Sequence, residues 1–491
     1  MSRGAVQAKI HAGDKYDTMN VCIYVRALMK VYLYYYRSLK KEYDASLFVQ
    51  FVAQNRREAE DVYRNVGNDA NVIIVSEYFK QHWEEFSLDK LKRFEHAYDC
   101  SPVWSLIYAD RYLIGKPWEY CIKIACGYFC LYDEIFKSRK YDFYVDETIA
   151  ILSSYIAYTA AKGNGVDYCA QVLTRGFDAE GHYFTRDPMQ YNCNFDKNYV
   201  DKSYPDEIRR KADGYISSLK KEYVKPVLMN ETGKVPTFRI GFAKTPLVYL
   251  MRKSQARYND KYDYIDYRKY EHVFDSAKFY FRYRSYRKYY KKPDYADKYV
   301  FFALHFQPEA TTLVCAPKYE KQLFFIDQLA KSLPSDTKLY VKEHYAFLGH
   351  REPDFYTKLK QYGNVVLIDP LEQSKDLILH SEAVVTLTGT VGWEGMILGK
   401  PVIMAGKMFY QDAPGVMHVD DIYGNYVGTL AKWRKPGDRV VSQYLCEHLA
   451  TMYKGCICAI NPTFDNPANL EDLGDSLVEE LRRRIGKRGS N

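Results

Sequence analysis

Residues 384–406, VVTLTGTVGWEGMILGKPVIMAG, run an apolar β-rich stretch, a glycine turn, a short helical stretch and a second apolar stretch together without a break. Residues 384–387 read as a strand, 393–398 as a helix and 401–403 as the next strand. Such a turn sits at the carboxyl end of a parallel strand. At that edge of an open α/β sheet, helix N-termini and free backbone N–H groups favour anions. Thr388 and Thr390 flank Gly389 and offer hydroxyls to phosphate oxygens. Glu394, inside the helix, is placed to accept from a sugar hydroxyl. Glycine turns also occur in α/β proteins that bind no phosphate, so the neighbours decide the reading.

Those neighbours alternate between strand and helix from residue 298 onward. Strands are expected at 298–305, 337–342, 364–368 and 383–387, with helices at 318–332, 353–362 and 373–380. Right-handed crossovers then give a parallel sheet. Each promising polar group follows a strand: His305 with Gln307 and Glu309, Lys342-Glu343-His344, Asp369, and Thr388-Gly389-Thr390. On a parallel sheet these loops converge on one rim, with amides and hydroxyls on one side and a cationic or imidazole group on the other. A lone histidine is more often a satisfied structural residue. Its strand-end place beside Lys342 sets His344 apart.

The first part of the chain carries the same alternation less clearly. Strands are expected at 19–27, 46–52 and 71–75, with a helix at 56–63 and another at 118–136. A strand at 141–145 runs into Asp146-Glu147-Thr148 before a helix at 149–161, which puts a carboxylate at a ligand edge. Asp110-Arg111, in an aromatic helix-like stretch, reads as a structural ion pair. A further strand at 166–173 ends at Arg175-Gly176. The expected organisation is an α/β domain at 1–205, a helical basic and aromatic connection at 206–296, a second α/β domain at 297–435, and closing helices at 436–491. Within the connection, KFYFRYRSYRKYYKK at 278–292 fits a helix whose aromatics face the core and whose cations are solvated. A grip on anionic lipid or nucleic acid competes with that reading.

Length and composition narrow the function. A chain of 491 residues suits two or three domains. No apolar run approaches the roughly 18 residues that span a bilayer, and the amino-terminal residues lack an apolar signal segment. The expected location is the cytosol, with a peripheral contact at the inner membrane face as the place where the basic segment would act. Eleven scattered cysteines suggest reduced thiols, and no metal site is expected. A net charge of +8 without a nucleic-acid module argues against nucleic acid as partner. Most of the 49 tyrosines are expected to fill half-buried positions.

KLYVKEH at 338–344, Gly349-His350-Arg351, Ser381, TGTVGWEGMILGKPV at 388–402, Tyr410 and FALHFQPEA at 302–310 together resemble the capsule polysaccharide biosynthesis family. More weakly, WSLIYADRYL at 104–113 and the Glu147 junction look like the family's amino-terminal half. The resemblance spans roughly 100–175 and 298–416. It implies a GT-B glycosyltransferase with two facing Rossmann-like domains and additional helices, related to the bacterial Kdo transferases of capsule assembly. A nucleotide-sugar donor would sit on the second domain, held by His305, Glu309, Lys342, His344, Thr388, Gly389, Thr390 and Glu394. The acceptor would be an oligosaccharide or lipid-linked glycan of a surface or capsular polysaccharide. Many relatives carry His-Pro where this chain has His344-Tyr345, which frees that loop. No cofactor beyond the co-substrate and no metal are expected. An inverting reaction needs a base on the first domain; Glu147 is the first choice, with Asp146 and Asp110 as alternatives. A non-hydrolysing sugar-nucleotide epimerase shares the layout and is the rival; a nucleic-acid-binding protein ranks last.

Overall fold

A computed structural model describes residues 18–25, 30–100, 102–177, 181–221, 235–236, 246, 249–250, 261–265, 274–458 and 461–488. Arg26 and Ala27 of the first expected strand, Ser101 and much of 206–296 lie outside the described residues. Two β-sheets organise the rest.

The first sheet contains β1 (Met19–Val25), β2 (Leu47–Ala53), β3 (Asn71–Ile74), β4 (Phe143–Glu147), β5 (Asp167–Leu173) and β6 (Gly181–Thr185). The second contains β7 (Tyr299–Ala303), β8 (Lys338–Lys342), β9 (Val365–Ile368), β10 (Ala383–Thr386), β11 (Val402–Met404) and β12 (Val416–His418). A short strand, β13 (Tyr453–Lys454), returns to the first sheet, which runs β13-β6-β5-β4-β1-β2-β3. The strands from β5 through β3 are parallel, and β6 and β13 add an antiparallel edge. The second sheet runs β12-β11-β10-β7-β8-β9 and is parallel throughout.

Parallel strands covered on both faces read as apolar runs, and their side chains alternate between two separate cores. On the second sheet Tyr299, Phe301, Val384 and Val402 enter one cluster, while Val300, Phe302, Val385 and Ile403 enter the other. The first sheet divides in the same way: Cys22, Tyr24 and Tyr144 lie on one side, and Val21, Ile23, Phe143 and Val145 on the other.

The last helix, Pro467–Arg488, leaves the second sheet behind and packs on the first, beside helix Val31–Tyr43. Its polar residues are matched to that sheet. Arg484 is buried and bonds Glu480 at 2.6 Å, Asp167 at 3.1 Å and the Tyr168 carbonyl at 2.8 Å. Ser476 Oγ meets His182 Nε2 at 2.8 Å. Helix Asp438–Ala450 stays with the second half, where Tyr444 and Leu445 share a core with Ala212 and Leu219 of helix Asp206–Lys221.

The segment 278–292 is helical over Asp275–Tyr286. Tyr286 is buried and stacks on Tyr356 at 4.0 Å, and Arg282 bonds the His350 carbonyl at 3.1 Å and pairs with Glu352. Arg284, Arg287 and Lys288 are exposed. This helix buttresses the loop after β8. No helix among the described residues is long and apolar enough to cross a membrane.

Candidate active site at the switch point of the second sheet

Strand order in the second sheet reverses at β7: β8 and β9 extend on one side, β10 to β12 on the other. A crevice therefore opens between the loops that leave β7 and β10, the place where open α/β sheets take ligands. His305 lies two residues past β7, and Thr388 two residues past β10. The structure joins them: the Thr388 N–H donates to His305 Nε2 at 3.1 Å. His305 is buried, and burial, reinforced by His344 and Arg351, pushes its imidazole down to about 3. The ring is neutral, and with Nε2 accepting, its proton is on Nδ1.

The glycine turn is fixed from several sides. Thr388 Oγ1 donates to the Thr311 carbonyl at 3.0 Å, and the Gly389 N–H donates to Thr386 Oγ1 at 2.9 Å. The Tyr410 hydroxyl donates to the Gly389 carbonyl. A Cβ on Gly389 would come within 3.2 Å of His305 Nε2, and one on Gly392 within 2.5 Å of the Tyr410 hydroxyl. Helix Thr390–Ile397 begins here with Gly389 as its cap, so its unpaired N–H groups open toward the crevice.

On the other flank, Lys342 ends β8. It is buried, donates to Ser374 Oγ at 2.9 Å, and burial pushes its ammonium down to about 8 against the pull of Glu394, Glu372 and Asp369. Glu394 keeps part of its surface open, yet burial pushes its carboxyl up to about 7, with Lys342 opposing. A lysine and a carboxyl with both pKa values drawn toward neutrality form a polar pair suited to hydroxyl ligands. Glu343 turns the opposite way, into a buried network with Arg351 at 2.6 Å and the Tyr356 hydroxyl at 2.7 Å. Arg351 also donates to the His305 carbonyl at 2.8 Å and stacks over Phe347 and Phe355. The two histidine loops are thus held together from behind. His344 is lowered by burial, with Glu343 and Glu309 opposing, and its Nδ1 finds no partner among the described residues. Glu309 accepts from the Thr311 hydroxyl at 2.8 Å at the start of helix Ala310–Leu313.

The first-half carboxylates divide. Asp146 and Glu147 are the last two residues of β4, still paired with Ala170 and Gln171 of β5, whereas the apolar run ending at Val145 puts them beyond the strand. Asp146 is buried, accepting from the Tyr144 hydroxyl at 2.8 Å and the Glu147 N–H at 2.7 Å. Glu147, half-buried, points to the opposite face, where its charge reaches Tyr35. Asp110 is fully buried and is not tied into an ion pair with Arg111. Its carboxylate accepts from the Leu152 N–H at 2.7 Å, the Tyr112 N–H at 2.7 Å and the Tyr264 hydroxyl at 2.8 Å. Leu152 opens helix Leu152–Gly163, so Asp110 holds a helix start in place.

The halves meet along this rim. Trp393 is buried between Phe177, Tyr215, Phe409 and His448, and its Nε1 donates to the Tyr215 hydroxyl at 3.2 Å. Cys315 lies against the Pro188 carbonyl. Residues 174–177, just past β5, form the first half's side of the seam. Arg175 there follows a strand as His305 and Thr388 do, whereas Ser374 and Arg351 border these loops without following one. Among the described residues no three His, Cys, Asp or Glu side chains gather as a metal site.

Residues 253–453 match the model of the capsule polysaccharide biosynthesis protein. That stretch is similar to the capsule polysaccharide biosynthesis family. The matched range begins earlier and ends later than the motifs that carry the resemblance, and it does not reach 100–175. Curated proteins give no match. Similar solved structures include the S. aureus MnaA–UDP co-structure, at 12% identity over 96% of this chain and 97% of that one, with a TM-score of 0.26. Thermosulfurimonas dismutans KpsC, β Kdo 2,7 transferase, is 11% identical over 90% and 94%, with a TM-score of 0.32. A glycosyltransferase from Rickettsia africae is 12% identical over 96% and 99%, with a TM-score of 0.25. The chain thus contains two Rossmann-like α/β sheets, the components of a GT-B fold.

Proposed function

We propose that the protein is a glycosyltransferase that moves a sugar from a nucleotide-sugar donor to a growing surface or capsular polysaccharide. The observation that carries this reading is the Thr388 amide on the neutral, buried His305 at the switch point, inside the segment that matches the family. The donor phosphate lies against the Thr388-Gly389-Thr390 turn and the helix behind it. Glu394 and Lys342 take sugar hydroxyls, and His344 and Glu309 line the β7 and β8 side. Preorganised N–H and hydroxyl donors stabilise the charge that develops on the leaving nucleotide, with no metal required. Glu147, at the end of β4, deprotonates the acceptor hydroxyl. The acceptor is an oligosaccharide or lipid-linked glycan, met on the cytoplasmic side of the membrane.

The test is a nucleotide-sugar panel assayed with and without glycan acceptors. Acceptor-dependent release of nucleotide together with glycan extension is the expected result. Conversion of a nucleotide sugar to its epimer without acceptor replaces this reading with the epimerase. His344→Ala and Thr390→Ala are each expected to weaken nucleotide binding; affinities equal to wild type would put the donor elsewhere.

A further inference from the structure

One cation of the first half lies beside this rim. Arg175 lies two residues past β5, half-buried at the seam. Among the described residues its one hydrogen bond is a long one, from NH2 to Gln190 Oε1 at 3.4 Å, and it has no carboxylate within ion-pair distance. Arginine stays protonated in proteins, and a partly desolvated guanidinium without a counter-charge is costly. The acidic groups nearby are otherwise engaged. Asp187 accepts backbone N–H groups, including that of Met189 at 2.7 Å, and Glu309 holds the Thr311 hydroxyl.

The field of Arg175 reaches His305 and Tyr410 on the second half, and Cys315 and Tyr183 beside the seam. Its backbone is fixed there. A Cβ on Gly176 would lie 2.9 Å from Trp393 Nε1, and Phe177 meets the Trp393 ring edge-on at 5.9 Å. Trp393 belongs to the same helix whose N-terminus opens the glycine turn. On the facing wall His305 is more than nine-tenths buried, and its Nδ1 has no partner among the described residues. Because Nε2 is taken by the Thr388 amide, that Nδ1 carries a proton with no acceptor. A guanidinium without a carboxylate, an imidazole N–H without an acceptor and a helix N-terminus lie along the same seam, and all three call for negative charge.

We propose that Arg175 binds the phosphate oxygens of the donor from across the seam, so that the phosphate bridges both halves of the molecule. This rests on the nucleotide-sugar reading of the site. A planar fork suits a phosphate bidentately where a lysine would supply only a point charge. Arg175 is therefore a binding residue carried by the acceptor-side half, and donor occupancy holds the seam closed.

The experiment measures binding of CMP, CDP, UMP, UDP and GDP by calorimetry at two salt concentrations, for wild type, Arg175→Gln, Arg175→Met and Thr390→Ala, with melting of each free variant as a fold control. For the nucleotide that wild type binds most tightly, loss of the charged hydrogen bonds is expected to weaken Arg175→Gln by about tenfold or more. Its affinity should also depend less steeply on salt than that of wild type. If Arg175→Gln melts early, Arg175→Met, which keeps the aliphatic stem, carries the same expectation. Arg175 variants that bind within twofold of wild type while Thr390→Ala is weakened overturn the arginine's role and leave the site reading standing. Wild type that binds none of the five, or Thr390→Ala unchanged, overturns both.

Discussion

Glu343→Gln is the sharpest test of how the two histidine loops are held. The Glu343 carboxylate is 2% exposed and uses both oxygens: Oε1 accepts the His344 N–H at 2.7 Å, and Oε2 accepts Arg351 Nε at 2.6 Å and the Tyr356 hydroxyl at 2.7 Å. Glutamine offers one oxygen and one NH2, so whichever way it turns, at least one donor faces another donor. It also leaves the Arg351 guanidinium, 7% exposed, without its counter-charge. Breaking a buried pair from one side costs about 3–5 kcal/mol. That loss is local to the second sheet, so hydrogen exchange of the β8 amides is the suitable assay; roughly 10²–10⁴-fold faster exchange is expected there, with β1 and β4 unchanged. Glu343→Leu combined with Arg351→Met removes both charges and should recover part of the protection, leaving a deficit of about 1 kcal/mol or more for each of the three groups left unpaired, the His305 carbonyl, the His344 N–H and the Tyr356 hydroxyl. Exchange of β8 in Glu343→Gln within about threefold of wild type would refute the reasoning, because the pair would then not be anchoring the loop.

Four further outcomes are expected. Gly349 has φ +85 and a Cβ there would lie 2.7 Å from the backbone C and Cα of Phe279, so Gly349→Ala should displace helix Asp275–Tyr286; with about 1–2 kcal/mol for the backbone alone, a lowered urea midpoint and exposed Tyr286 are the readouts. His182, His305 and His448 are depressed by burial to about 4, 3 and 3, so the unfolded chain binds more protons below its ordinary histidine pKa of 6.5. Stability is then fully present above 6.5 and lost as pH falls toward 4, by about 1.4 kcal/mol per pH unit for each histidine, and His448→Phe should flatten the slope of stability on pH by one proton. Glu147→Gln should leave donor affinity unchanged and slow transfer by roughly a hundredfold or more, and transfer within a few-fold of wild type would move the base to Asp146 or Asp110 or favour a mechanism without one. Transfer measured in excess EDTA should match transfer without it, and loss of activity restored by a divalent cation would contradict metal-independent chemistry.

The second sheet was the more legible because its central strands β7, β8, β10 and β11 bury both faces, so each appears as an apolar run, those of β7, β8 and β10 closed by polar residues at the ligand edge. His305, Lys342 and Thr388 were findable for that reason alone. The first sheet was harder to read at its antiparallel edge. All of β6 is buried, but GHYFT contains glycine and histidine, and His182 is tolerated inside because its Nδ1–H donates to the Gly455 carbonyl and its Nε2 meets Ser476 Oγ, both far along the chain. Asp110 shows the same limit. Its neighbour Arg111 suggested an ion pair, while the donors that hold it come from Leu152 and Tyr264. Arg175 read as a strand terminator because nothing in its own neighbourhood indicates that the opposite half approaches it.

The return of helix Pro467–Arg488 to the first sheet fixes an order of events during synthesis. Residues 19–185 leave the ribosome first, yet Gln171, His182 and Asp167 have partners on Leu473, Ser476 and Arg484. Until those residues are made, the nascent first half must keep these polar groups wet and its helix-docking face uncovered, while the second sheet already has all of its strands. The half that is translated first is thus the half that matures last. A ribosome stalled near residue 450 would display an assembled second sheet on an unfinished partner, open to chaperones and proteases.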